Sequence, residues 1–181
     1  MTSLKVKPVL PYAGLPALAL TLLLVRVGRM DPFMLLLHEL VLIFGYVAAM
    51  LDYKTRRIPN NLIMVMAASW VLVMTPMLFR STEAALTHLK DSALGFVIGG
   101  GLFLLVYIIS RKGLGGGDVK YVAAAGLYLG LGGIIPVMLY GTLLAALTGL
   151  ALILLKKIGR KDPIPLAPFL FVGILLTLFL Q

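Results

Sequence analysis

The chain is a succession of apolar runs separated only by short polar clusters. Seven segments can be marked, at about 9–27, 33–51, 61–79, 92–110, 119–131, 134–155 and 164–180. A run of roughly 18 or more apolar residues crosses a hydrocarbon core about 30 Å thick. Backbone polar groups inside lipid must bond to one another, which a helix does within its own segment. The predicted fold is therefore all-α, a polytopic transmembrane helical bundle with six or seven spans. Hydrophobic residues make up 61% of the chain and charged residues 13%, against about a quarter charged in a soluble domain. That leaves room for one integral membrane domain over residues 1–181 and for no sizeable soluble one. The stretch from Pro8 to Val25 lacks a convincing small-residue cleavage site and is followed by further spans, so it reads as a retained helix.

Threading the segments back and forth sorts the basic residues. Lys5, Lys7, Lys54, Arg56, Arg57, Arg111, Lys112, Lys120, Lys156, Lys157, Arg160 and Lys161 fall on one side; Arg26, Arg29, Arg80 and Lys90 fall on the other. Basic loops stay cytoplasmic, so the amino terminus is expected inside a cytoplasmic membrane, with Asp52 and Asp118 on the same side. The net charge of +9 is thus spent on short loops against a lipid bilayer, and no nucleic-acid partner is expected. The absence of cysteine excludes disulfides, a thiol nucleophile and cysteine-ligated metal. Two histidines, His38 and His88, are too few for a convincing metal cluster, so neither metal nor organic cofactor is expected.

From Tyr121 to Leu155 the chain is apolar without interruption. As one helix it would run ~52 Å at 1.5 Å per residue, far beyond the hydrocarbon thickness. A break at Gly130-Leu131-Gly132-Gly133, just before Pro136, resolves the excess. The short segment that remains starts at Gly115-Gly116-Gly117, and irregular backbone at that depth is tolerated only beside protein or a wet cavity. A hydrated pocket around Asp118 follows. The polar stretch from Arg80 to Asp91 could form an interfacial helix on the outer side.

Only seven residues are acidic, and two of them end apolar segments in basic surroundings. Asp52 lies in Leu51-Asp52-Tyr53-Lys54-Thr55-Arg56-Arg57, and Asp118 in Gly115-Gly116-Gly117-Asp118-Val119-Lys120. Two carboxylates held close cannot both ionise cheaply, so one keeps a proton. Such a pair can take a proton from water while polarising a scissile carbonyl. Judged from its own helix, Asp118 at a helix start is favoured as the anion and Asp52 at a helix end is not, making Asp118 the expected base. Each aspartate alone could equally be a solvated charge paired with a neighbouring Lys or Arg, and the glycines alone could serve close helix packing.

These motifs resemble those of the type IV prepilin peptidase family, the GxGD-type aspartic membrane peptidases. The likeness rests on Asp52 followed by Arg57-Ile58-Pro59-Asn60, on Gly115-Gly116-Gly117-Asp118-Val119-Lys120 with Ala123-Ala124-Ala125-Gly126, and on Pro165-Leu166-Ala167-Pro168-Phe169-Leu170. It implies a leader peptidase acting on pilin-like precursors at the cytoplasmic face, with Asp52 and Asp118 catalytic. Gly115, Gly117, Lys120, Pro59, Asn60, Pro165 and Pro168 would shape the site. Large members carry an additional amino-terminal region with paired Cys-x-x-Cys motifs, linked to methylation; this cysteine-free chain is expected to be a peptidase-only member, similar to the small enzymes of tight-adherence pilus systems. Many relatives have Gly where this chain has Ala167 and Phe where it has Leu166.

Other residues read more plainly. His38 and Glu39, inside the second segment, are expected to make a structural polar contact. Pro59 and Asn60 restart a helix and fix where Asp52 points. Lys120 could favour the Asp118 anion, touch substrate or snorkel. Arg56 and Arg57 are assigned to topology and headgroups, and Trp70 and the methionines to packing. Two rivals remain: a presenilin-like protease cutting within a lipid-buried helix, and a small transporter whose aspartates bind an ion or proton. A catalytically silent assembly factor is a third.

Overall fold

A computed structural model of the chain describes residues 30–110, 113–159, 162 and 164–180. The expected first segment, 9–27, lies outside the described residues, as do Lys5, Lys7, Arg26, Arg29, Arg111, Lys112, Arg160 and Lys161. The described residues form five helices: α1 Pro32–Thr55, α2 Asn60–Arg80, α3 Thr82–Ile109, α4 Gly116–Leu154 and α5 Ala167–Leu180. The first four are long and apolar enough to cross a membrane by length and composition. The described residues form an all-α bundle whose long apolar helices suit a multi-pass membrane protein.

Local chemistry sets most helix ends. Asp31 caps α1 by accepting the Phe33 amide at 2.9 Å, and Pro32 opens the helix where its missing N–H costs nothing. At the other end Arg56 turns left-handed (φ 52°, ψ 34°) and its N–H closes on the Asp52 carbonyl at 2.7 Å. A single extended residue, Ser81 (φ −154°), separates α2 from α3. The stretch from Arg80 to Asp91 is therefore no separate interfacial helix: from Thr82 it is continuous with α3.

The expected break in the long apolar run falls at Gly130, whose φ of 63° and ψ of −173° interrupt α4. The chain reverses there. A methyl group placed on Gly99 of α3 would lie 2.9 Å from Ile134 Cγ1 and 3.4 Å from Val122 Cγ1. Those two residues would stand about 18 Å apart along a straight helix, so one point can touch both only if α4 is a hairpin of two arms. The second arm then runs back alongside α5, with Gly141 against Leu170 and Gly173 against the Val137 carbonyl.

Glycines let these backbones meet. A methyl on Gly95 would sit 2.4 Å from the Gly126 carbonyl oxygen, a contact no side chain could survive. The core is built from α1 (Leu37, Val41, Leu42), α4 (Tyr121, Val122, Ile134, Val137) and α5 (Leu170, Ile174, Leu178), all almost fully buried. Met66, Met74 and Met77 pack inside as expected, whereas Met64 faces outward with Phe79, Ile109 and Leu154. Trp70 packs against the core, its indole N–H buried without a hydrogen-bond partner among the described residues.

Candidate active site

The two aspartates of the sequence motifs meet at one end of the bundle. Asp52, in the last turn of α1, is only 6% exposed. Asp118 stands in the first turn of α4. Both line a cavity of about 270 Å³ together with Arg56, Arg57, Ile58 and Gly115 to Gly117. Both also line an adjoining cavity of about 230 Å³, closed on its far side by Leu114, Ile164, Pro165 and Leu166. The pair thus stands between two spaces, one under the α1–α2 turn and one under the entry to α5.

The turn after α1 is held by its own polar groups. Thr55 Oγ1 donates to the Leu51 carbonyl at 2.8 Å. Ile58 is then driven into the core, and Pro59 caps α2. The turn lies against the glycine run: a methyl on Gly117 would come within 3.2 Å of Ile58 Cβ and 3.3 Å of its carbonyl oxygen. Lys120 Nζ donates to Asn60 Oδ1 at 2.9 Å, clasping the start of α2 to the start of α4. Gly117, Lys120, Pro59 and Asn60 are thereby brought together around the aspartates. Gly115 serves a different purpose. A methyl there would stand 2.7 Å from Asp118 Oδ2, because that carboxylate folds back over the helix start.

The proline-rich element arrives from the other side. Ala167, the first residue of α5 and fully buried, donates its amide to Asp52 Oδ2 at 3.0 Å. Pro165 lines the second cavity, and Pro168 occupies the first turn of α5, where a proline is tolerated. The Asp118 Oδ1 atom has no such partner: it is buried without a hydrogen bond among the described residues. Tyr121, one turn further along α4, buries its hydroxyl likewise.

Several contributors were invisible to sequence reasoning. Arg56 and Arg57, assigned there to topology and headgroups, line the cavity beside the aspartates. The Ala167 donor is a backbone amide, for which side-chain identity carries no signal. Tyr121 had one available clue, since three residues after Asp118 it must share that helix face. His38 and Glu39 are not brought to the pair. His38 lines a separate cavity of about 170 Å³ with His88, Asp91, Ser92 and Tyr128, and Glu39 is buried with Oε1 unpartnered among the described residues. No group of three or more His, Cys, Asp or Glu among the described residues is arranged to hold a metal ion.

A family model described as the type IV leader peptidase family matches residues 39–150. A prepilin leader peptidase/N-methyltransferase of Bacillus subtilis (strain 168) is 28% identical over 132 residues, covering 72% of this chain and 50% of that protein. One from Xanthomonas campestris pv. campestris is 35% identical over 71 residues, 39% of this chain and 25% of the relative. One from Aeromonas salmonicida (strain A449) is 36% identical over 66 residues, 36% and 23%. The chain spans at most half the length of these relatives. No solved structure matches it significantly.

Proposed function

This chain belongs to the type IV leader peptidase family, and from that premise we propose that it is a membrane aspartic endopeptidase cleaving the leader from prepilin-like precursors. Asp52 and Asp118 are the catalytic pair, and water is the nucleophile. The observation that carries this reading is the convergence of two acidic residues, from distant segments, on the same pair of cavities. A water held between the two carboxyl groups would be deprotonated by one while the other protonates the carbonyl oxygen of the scissile bond. The 270 and 230 Å³ spaces flanking the pair give the substrate backbone room on either side of the reacting carbon.

The site opens, on this reading, at the cytoplasmic face. Lys54, Arg56, Arg57, Lys120, Lys156 and Lys157 gather at the end that carries the aspartates, while Arg80 and Lys90 stand at the other, as the positive-inside rule requires. The whole of residues 1–181 acts as one membrane peptidase domain. On this reading its described part crosses the bilayer six times when the two arms of α4 are counted separately. Leader cleavage is the one activity proposed for this chain.

The direct test is incubation of purified protein with pilin-like precursors in detergent or liposomes, with mass determination of the products. Cleavage at the junction between leader and apolar segment is expected, and its loss in Asp118→Asn. Retained cleavage by that variant overturns the mechanism, while cuts deep within the apolar helix would assign the chain to intramembrane proteolysis instead.

A further inference from the structure

Resting on that catalytic pair, we infer that the Ala167 amide sets the division of labour, with Asp52 the ionised base and Asp118 the holder of the proton. Each aspartate's own helix suggests the reverse, since Asp118 sits at a helix start and Asp52 at a helix end. Tertiary contact changes the balance. The buried Asp52 carboxylate accepts a 3.0 Å hydrogen bond from the first amide of α5, a donor at the positive end of a helix pointed directly at the charge. The opposing end of α1 acts less directly, because the Asp52 carbonyl is already closed by the Arg56 amide at 2.7 Å.

Asp118 is placed differently. Its Oδ1 is buried with no donor among the described residues, and a buried anionic oxygen without a partner is costly. As a carboxylic acid, that same oxygen carries a proton and becomes a donor. The charged and titratable groups around Asp52 and Asp118 among the described residues include Arg56 and Arg57 from the α1–α2 turn and Lys120 and Tyr121 from α4, with Lys120 Nζ engaged by Asn60. From α5 comes no charged side chain, only the amide. Ala167 acts through Asp52 and is a positioning residue.

The reaction then balances as follows. Asp52 takes a proton from water as the water oxygen bonds to the scissile carbonyl carbon, and the Asp118 proton passes to the carbonyl oxygen, giving a gem-diol. On collapse, Asp52 returns its proton to the leaving amide nitrogen, the C–N bond breaks, and one gem-diol hydroxyl proton goes back to Asp118. The products are a carboxylic acid and an amine, with no other reactant.

The decisive experiment replaces Ala167 by lactic acid, which turns its amide into an ester, removing the N–H and keeping the methyl side chain, and records kcat/KM for leader cleavage against pH. Without the donor the Asp52 anion is less favoured, so the acid limb should move up by about one pH unit while the alkaline limb, belonging to Asp118, stays in place. Ala167→Pro deletes the same donor with a natural residue and should move the same limb; in Ala167→Gly, which keeps the N–H, the acid limb should not move. An unmoved acid limb, or a moved alkaline limb, overturns the assignment. If the wild type cleaves and both Asp52→Asn and Asp118→Asn are dead, such a result removes this division of labour and leaves the pair standing. A wild type that cleaves no precursor removes both.

Discussion

An aspartate meets a helix start at each end of this bundle, and the two arrangements serve different ends. At one end Asp52 accepts the Ala167 amide at 3.0 Å. Roughly 20 Å away along the helices, Asp91 of α3 accepts the Leu131 amide, also at 3.0 Å, where the second arm of α4 begins. Among the described residues, no second carboxylate lines the cavity beside Asp91. It closes the first orphan donor of a reversed helix, and Gly130 leaves it room, since a methyl on that glycine would lie 1.8 Å from Asp91 Oδ2. Asp52 has a second carboxylate beside it, and one of the partner's oxygens is buried and unbonded. A lone capped carboxylate holds a fold together. A carboxylate held by an amide, next to one with a buried oxygen left unbonded and with room for water on both sides, is equipped to move a proton.

The largest test of that contrast is chemical. Asp52→Asn and Asp118→Asn should each lower leader cleavage by about 10³-fold or more, with the thermal unfolding profile in detergent little changed. Asp91→Asn should leave cleavage per folded molecule within about a few-fold of wild type, since it removes no proton-transfer group. Equal loss in all three would dissolve the distinction between the two ends.

Stability should respond in the opposite order. Gly95→Ala drives a methyl to 2.4 Å from the Gly126 oxygen and 2.6 Å from the Gly130 carbonyl carbon, both backbone atoms, and should cost about 3 kcal/mol or more. Gly130→Ala adds a clash with Asp91 to a positive φ and should cost about 1–3 kcal/mol. Asp91→Ala loses only the cap, about 1 kcal/mol. Chemical or thermal unfolding of the purified variants ranks them, and an Asp91→Ala more damaging than Gly95→Ala would contradict the packing argument.

The smallest expected effect lies in the clasp between α2 and α4. Breaking the Lys120–Asn60 hydrogen bond with Lys120→Met or Asn60→Leu should slow cleavage by about two- to five-fold, the worth of about one exposed hydrogen bond. The double variant should be no worse than either single one. Fully additive losses would mean that the two residues act separately.

Much of this candidate site was legible in the residues alone. Asp52 and Asp118 announce themselves because carboxylates are scarce in an apolar chain, and Gly115 and Gly117 because a helix entering lipid rarely begins with three glycines. The break near Gly130 follows from length alone, since 35 apolar residues exceed one crossing. Other features had no local trace. Arg56 and Arg57 read as ordinary juxtamembrane charges, since nothing nearby says which loop the turn will fold against. The Arg80 to Asp91 stretch reads as an interfacial helix because its polarity is local, whereas its continuity with α3 depends on Asp91 being engaged across the bundle.

Run length, hydropathy and the spacing of basic clusters were enough to dictate an all-helical membrane protein with both motif aspartates on one side, because lipid penalises unpaired backbone and charge wherever they occur in the chain. Which amide reaches Asp52, which oxygen of Asp118 goes without a partner, and which loop closes over them were settled only by packing. Those contacts join residues far apart in sequence, and a hydrogen bond holds or fails over a few tenths of an ångström.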